Sequence, residues 1–237
     1  MRRAALALAA LSLAGCQTTA ERSARLEAAA KRQARKAAVG LSIAHASRSV
    51  EVLSAQLVRG PEASAAVITL RNRTGRAERD IPIKLEVTGA GGTVQYANTA
   101  AGLSRSLVSI PLLAPHMLVS WVDDQVQGES QSSRLRVELG EGAAAGAIPS
   151  PLAISRVSST SEGGVVVVSG TVANTSAPTQ REVAVYAVSK AGAHVLAAGR
   201  AVVAELPAGA SSPFQIFLLG DPSGGRLEVS APATSTG

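Results

Sequence analysis

The sequence predicts a mainly β fold, and three observations predict it. Beyond about residue 49, short runs rich in Val, Ile, Leu and Thr are separated by clusters of Gly, Pro, Asn and Ser. Several of these runs alternate apolar and polar residues, as a strand does when one face is buried and the other is wet. The whole pattern then occurs a second time. The length of 237 residues is enough for one or two domains with real cores. A composition of 46% hydrophobic and 17% charged residues excludes a wholly disordered chain.

The strands expected in the first half include residues 65–70, 81–87 (IPIKLEV) and 134–139 (RLRVEL). In the second half they are 164–172, 182–188 (EVAVYAV), 195–205 and 213–219. At an offset of 102, Asn72 falls on Asn174, and Ile81 and Ile83 fall on Val183 and Val185. A glycine turn recurs, Gly91 and Gly92 against Gly192. Leu113-Ala114-Pro115 then parallels Leu206-Pro207-Ala208-Gly209, and the terminal strand recurs at Arg134 and Arg226. Two related domains of about ninety residues are expected, 49–141 and 149–231. A small-residue linker (142–148, within GEGAAAGAIPSP) joins them, and a disordered tail (232–237) follows.

The order is strand, Asn-containing loop, strand, glycine turn, strand, Leu-Pro-type turn, and strand with an aromatic. It resembles the bacterial immunoglobulin-like modules called FxLYD and the similar adhesion-related CARDB modules. Asn174, Tyr186, Gly192, Leu206, Gly209 and Phe214 or Phe217 carry the resemblance in the second half. In the first half Asn72, the glycine turn, Leu113-Ala114-Pro115 and Trp121 carry it. The name-giving Tyr-Asp pair is absent, since Ala187 follows Tyr186. The resemblance implies two tandem immunoglobulin-like β-sandwiches. Trp121, Tyr186, Phe214 and Phe217 are expected as core plugs rather than ligand platforms.

The first residues read MRRAALALAALSLAGC. Arg2 and Arg3, a ten-residue apolar run and then small residues describe a secretory signal peptide (1–15), too short in its apolar part to span a bilayer. The ending Leu13-Ala14-Gly15-Cys16 resembles the lipobox of bacterial lipoproteins at all four positions. The resemblance implies lipidation of Cys16, cleavage before it, and attachment to a bacterial membrane, facing the periplasm or the cell exterior. Cys16 is the sole cysteine, which also excludes an internal disulfide framework and any multi-cysteine metal site.

Residues 18–39 contain no Gly or Pro and are dominated by strong helix formers, so a basic α-helical spacer is expected within 16–48. Thr18 and Glu21 have capping-box spacing, and Gly40 stands where a C-terminal cap is expected. The formal charge of +6 is distributed unevenly. Two positive charges are Arg2 and Arg3. Arg22, Arg25, Lys31, Arg32, Arg35 and Lys36, less Glu21 and Glu27, supply the other four. Residues 39–237 hold 15 basic and 15 acidic residues, so they are neutral. The spacer's basic residues are expected to contact anionic lipid or cell-wall polymer, at about 1 kcal/mol per residue near a charged surface.

No catalytic motif is found: no G-x-S-x-G elbow, H-E-x-x-H or phosphate-binding loop. His45, His116 and His194 lie in separate regions, and His116 and His194 are expected in exposed turns. Asp123-Asp124 is expected as a solvated strand end rather than a calcium site. Asn72-Arg73-Thr74 and Asn174-Thr175-Ser176 are formal glycosylation sequons. Their equivalent placement points instead to a structural task, with each Asn bonding its own loop. Neutral domains with 2% aromatic residues argue against nucleic acid and against a carbohydrate platform. The expectation is a non-enzymatic, membrane-anchored envelope lipoprotein without a cofactor other than its lipid. It would bind an envelope protein through tandem domains or, alternatively, contact lipid or wall polymer through the basic helix.

Overall fold

The computed structural model describes residues 40–127, 133–146 and 151–234. Cys16 and the expected signal peptide and basic helix lie outside the described residues. Residues 40–237 belong to one compact unit. Its first half runs β1 (Val50–Arg59), β2 (Ser64–Asn72), β3 (Glu78–Thr88), β4 (Val94–Ala97), a single helical turn α1 (Arg105–Val108), β5 (Ser109–Leu113), β6 (Leu118–Val126), β7 (Arg134–Leu139) and β8 (Ala143–Ala144). The second half runs β9 (Ala153–Glu162), β10 (Val165–Ala173), β11 (Gln180–Ala191), β12 (His194–Leu206), β13 (Ser211–Phe217), β14 (Leu219–Gly220) and β15 (Arg226–Ser230). The mainly β expectation is correct.

Among the described residues every strand pairing is antiparallel, and the two halves repeat one plan. In the first half β1-β2-β6 form one sheet, and β3 sits between β4 and β5 on one edge and β7 and β8 on the other. In the second half β9-β10-β13 form the sheet equivalent to β1-β2-β6, and β14-β12-β11-β15 form the other. Equivalent side chains pack alike. Ile68 lies opposite Trp121 across β2 and β6, and Gly170 lies opposite Phe214 across β10 and β13. A Cβ on Gly170 would stand 2.5 Å from the Phe214 ring, so the ring fills the space that Ile68 occupies in the other half.

Side-chain parity shows how the sheets stack. In β3, Ile81, Ile83, Leu85 and Val87 are buried while the residues between them are partly exposed, the alternation of a sheet wet on one face. In β2 nearly every residue is buried, and in β11 the run from Val183 to Ser189 is buried without a break, so those stretches are covered on both faces. Ala184, Tyr186, Val188 and Ala198 of the second half join the same hydrophobic cluster as Val67, Ile68 and Trp121 of the first. Val183, Val185, Ala187 and Ala197, on the opposite face, join Val168, Val172 and Ile216. The result is four sheets in series: β3 with its neighbours, then β1-β2-β6, then β14-β12-β11-β15, then β9-β10-β13. The first half's β1-β2-β6 sheet is therefore sandwiched between two others.

Two segments differ from expectation. Part of the expected linker is a strand, because Ala143 and Ala144 pair with Arg79 and Glu78. The expected disordered tail is ordered through residue 234: Ala233 is buried, and Thr234 donates its N–H to Gln180 Oε1 at 2.6 Å. Short apolar segments of this kind gain order by completing a neighbour's burial and hydrogen bonding, which local composition does not reveal.

Candidate functional site

None of the residues expected to make contact with membrane or wall (Arg22, Arg25, Lys31, Arg32, Arg35, Lys36) nor Cys16 lies among the described residues. The residues that are described gather their polar chemistry in three places: two loop cradles and a joint between the halves.

The cradles are built on the two sequon asparagines. Asn72 ends β2 and Asn174 follows β10, and both side chains are buried. Asn72 Nδ2 donates to the carbonyls of Arg76 at 2.7 Å, Ala114 at 3.1 Å and Leu113 at 3.2 Å. Its Oδ1 accepts from the Thr74 N–H and hydroxyl, both at 2.9 Å. Asn174 repeats the scheme. Nδ2 donates to Pro178 and Leu206 carbonyls at 2.9 and 3.0 Å, and Oδ1 accepts from the Ser176 N–H at 3.0 Å and hydroxyl at 2.6 Å. The Ser or Thr two residues on is thus needed to close the loop, and the amide nitrogen is committed inside the protein. The structural reading of both sequons is correct. In each half the same Asn also ties its loop to a turn, Ala114–Met117 or Pro207–Ala210, whose third residue has a left-handed backbone. That residue is Gly209 at φ 71° in the second half and His116 at φ 56° in the first. His116 and His194 are exposed, as expected.

The joint between the halves centres on Arg200. It lies opposite Tyr186 across β12 and β11, on the face turned to the first half. Its Nε donates to Asp124 Oδ1 at 2.9 Å, its backbone N–H to Asp124 Oδ2 at 3.3 Å, and Nη1 to Ser106 Oγ at 2.8 Å. The Arg200 side chain is only 6% exposed, so this ion pair is little screened by water. Gln56 of β1 clamps the β11–β12 hairpin: Nε2 donates to the Ala193 carbonyl at 2.9 Å, and Oε1 accepts from the Val195 N–H at 3.0 Å. Lys190 Nζ donates to Ser120 Oγ at 3.1 Å and to Glu228 at 3.0 Å, beside a groove of about 560 Å³ lined by Thr69, Leu118 and Pro151 among others.

Asp123 and Asp124 are therefore not a solvated strand end. They stand mid-way along β6 and point to opposite faces. Asp124 meets Arg200, while Asp123, fully buried, accepts from the Tyr96 hydroxyl at 2.7 Å and the Gln125 N–H at 3.0 Å. Burial raises the Asp123 pKa above its ordinary 3.8, outweighing these two bonds and the nearby Arg200 charge, which act to lower it. Burial and the Asp123 charge push the Tyr96 hydroxyl upward in turn. The Tyr186 hydroxyl is also raised by burial, and it is buried without a hydrogen-bond partner. Sequence reasoning missed Arg200 and Tyr96 because their partners lie 76 and 27 residues away.

Of the four expected core plugs, Trp121, Tyr186 and Phe214 are buried, and Trp121 donates its indole N–H to the Ser106 carbonyl at 3.0 Å. Phe217 is not a plug: it is 62% exposed. Strand alternation accounts for this, since Phe214 and Ile216 face the core and Phe217 follows them by one residue.

Among the described residues, no group of three or more His, Cys, Asp or Glu side chains is arranged to hold a metal ion. Of these polar groups, Arg200, Gln56 and Lys190 bind across the two halves, and Asn72 and Asn174 bind their own loops. The chain matches no protein-family model and no curated protein.

Proposed function

We propose that the chain is a lipid-anchored lipoprotein of the bacterial envelope, whose two immunoglobulin-like domains form a non-enzymatic module that binds another envelope protein. The observation that carries this reading is the position of the sole cysteine, Cys16, at the end of Leu13-Ala14-Gly15-Cys16 behind a short charged and apolar leader. The repeated strand order of the halves supports the immunoglobulin-like part. A mode of binding is supported by β9, an edge strand whose side chains from Ser155 to Ser161 are all exposed. Its counterpart β1 is clamped through Gln56 by the second half.

Two measurements test the reading. Labelled fatty acid should enter the wild type and not Cys16→Ala; equal labelling of both removes the anchor. A photo-crosslinking residue in place of Ser159 should yield an adduct with a distinct envelope protein in cells, and failure to do so removes the binding mode. The uneven charge supports a second contact, between the basic segment and anionic lipid or wall polymer. Neutralising Lys31, Arg32, Arg35 and Lys36 together should abolish sedimentation with wall material or anionic vesicles. Unchanged sedimentation rejects this contact.

A further inference from the structure

The two halves part beside their Asn cradles. At the offset of 102, Glu78, the first residue of β3, falls on Gln180, the first residue of β11. Gln180 is fully buried and satisfied. Its Nε2 donates to Ser176 Oγ at 3.2 Å and to the Pro178 carbonyl at 3.3 Å. Its Oε1 accepts from the Thr234 N–H at 2.6 Å and from the Thr234 hydroxyl at 3.2 Å. The chain that follows the last strand of the second half thus supplies two donors. In the first half the place of Thr234 belongs to Gly142, at the offset of 92 that links Arg134 to Arg226. Gly142 lies against Glu78, since a Cβ on it would stand 3.2 Å from Glu78 Oε2. It has no hydroxyl, and that oxygen is buried with no hydrogen-bond partner among the described residues. A buried acceptor without a donor costs stability, and a charged one costs more than a neutral one.

Glu78 also lines a cavity of about 700 Å³ beside the Asn72 loop, together with Glu141, Arg48 and Arg76. Among the described residues none of these four side chains is in an ion pair. Their neighbour Arg73, by contrast, pairs with Glu51 at 3.5 Å. Two carboxylates and two guanidiniums that share one space without pairing complement a ligand that carries both charges. An ammonium offers the donors that Glu78 lacks, and a guanidinium matches a carboxylate with two parallel hydrogen bonds. Gly75, Ala77 and Ala144 in the walls are small, which leaves the space to a ligand's backbone. Thr234 shows that peptide is what completes the equivalent place in the second half.

We propose that this cavity is a binding site for a short zwitterionic peptide, whose ammonium is taken by Glu78 and Glu141 and whose carboxylate is taken by Arg48 and Arg76. The test is isothermal titration calorimetry on the full chain carrying Cys16→Ala, with the dipeptide alanyl-alanine as probe. Saturable binding of about millimolar affinity or better is expected. N-acetyl-alanyl-alanine, without the ammonium, and alanyl-alanine amide, without the carboxylate, should each bind about tenfold more weakly or worse. Glu78→Gln gives the first half the residue that the second half already holds at this place, so the fold should persist with an undiminished melting temperature. It should weaken alanyl-alanine about tenfold and bind it no better than the N-acetyl form. Arg48→Ala with Arg76→Ala should likewise remove the preference for alanyl-alanine over its amide. A purely structural role for Glu78 would move the melting temperature and leave these preferences as they are. Absence of saturable binding overturns the proposal, whether the cavity then stands open or is filled by residues 1–39. Equal binding of the capped forms overturns the zwitterionic class, and unchanged binding in both variants overturns the site. None of these outcomes depends on fatty-acid labelling at Cys16, so this proposal and the lipoprotein reading fail separately.

Discussion

Strands β3 and β11 hold the same place in the two halves and meet opposite environments. Their inward side chains match: Ile81 and Ile83 correspond to Val183 and Val185, all fully buried. Their outward side chains do not. β3 presents Pro82, Lys84 and Glu86, and β11 presents Ala184, Tyr186 and Val188. Lys84 and Glu86 form a surface ion pair at 2.9 Å, whereas Ala184, Tyr186 and Val188 lie against the first half. The outward side chains of equivalent strands thus differ according to whether the strand lies at an end or in the middle of the stack. Sheet-on-sheet association is governed here by the face that the fold itself does not need.

The largest expected effect comes from exchanging those faces. Tyr186→Lys puts at the joint the residue that β3 carries, burying a cation beside Arg200. It should destabilise the protein by about 4 kcal/mol, read as a drop in chemical-denaturation midpoint. The reverse exchange, Lys84→Tyr, falls on an exposed face and should change stability by no more than about 0.5 kcal/mol. Equal effects at the two positions would mean that the halves are not stacked through β11.

The comparison also shows what the sequence made legible. Alternation in β3 and the offset of 102 linking Asn72 to Asn174 are local signals, and both reappear in the structure. The run VAVYAV in β11 carried a further signal. It alternates in residue size but is apolar throughout, the mark of a strand buried on both faces, and together with β2 it announces the extra layer. The Arg200–Asp124 pair was illegible because Asp123-Asp124 reads locally as polar; only the stacking of layers buries Asp123 and sets Asp124 against Arg200. The exposure of Phe217 follows from a one-residue register difference, which composition does not fix.

The next effect tests whether the two cradles are as alike as they look. Asn72→Ala and Asn174→Ala each strand buried carbonyls and an unbonded loop N–H, a loss of about 2 to 3 kcal/mol. Asn72 serves one more carbonyl, that of Ala114, so its loss should be the greater. Asn→Asp at either position keeps the acceptor but loses the donor, and should be no less damaging. If either alanine variant unfolds at the wild-type midpoint, that cradle has no structural role.

The smallest effect is a pH slope, and it lies at another position where the halves part. Asp123 occupies in β6 the place of Ile216 in β13, each pointing into its own core. Because burial raises the Asp123 pKa, the folded carboxyl retains a proton that the unfolded chain, titrating near 3.8, has released. The folded state then binds more protons than the unfolded one, so this group's contribution to stability falls as pH rises from the unfolded value through the folded one. Below 3.8 both states are protonated and the penalty vanishes. Asp123→Asn removes the titration while Oδ1 still accepts from Gln125, so its melting temperature should lose that acid-side slope relative to wild type. Tyr96→Phe deletes a hydrogen bond that favours the carboxylate, so it should carry the decline to higher pH. Parallel melting curves for wild type and Asp123→Asn from about pH 3 to pH 7 would show that the carboxylate is better solvated than its burial implies.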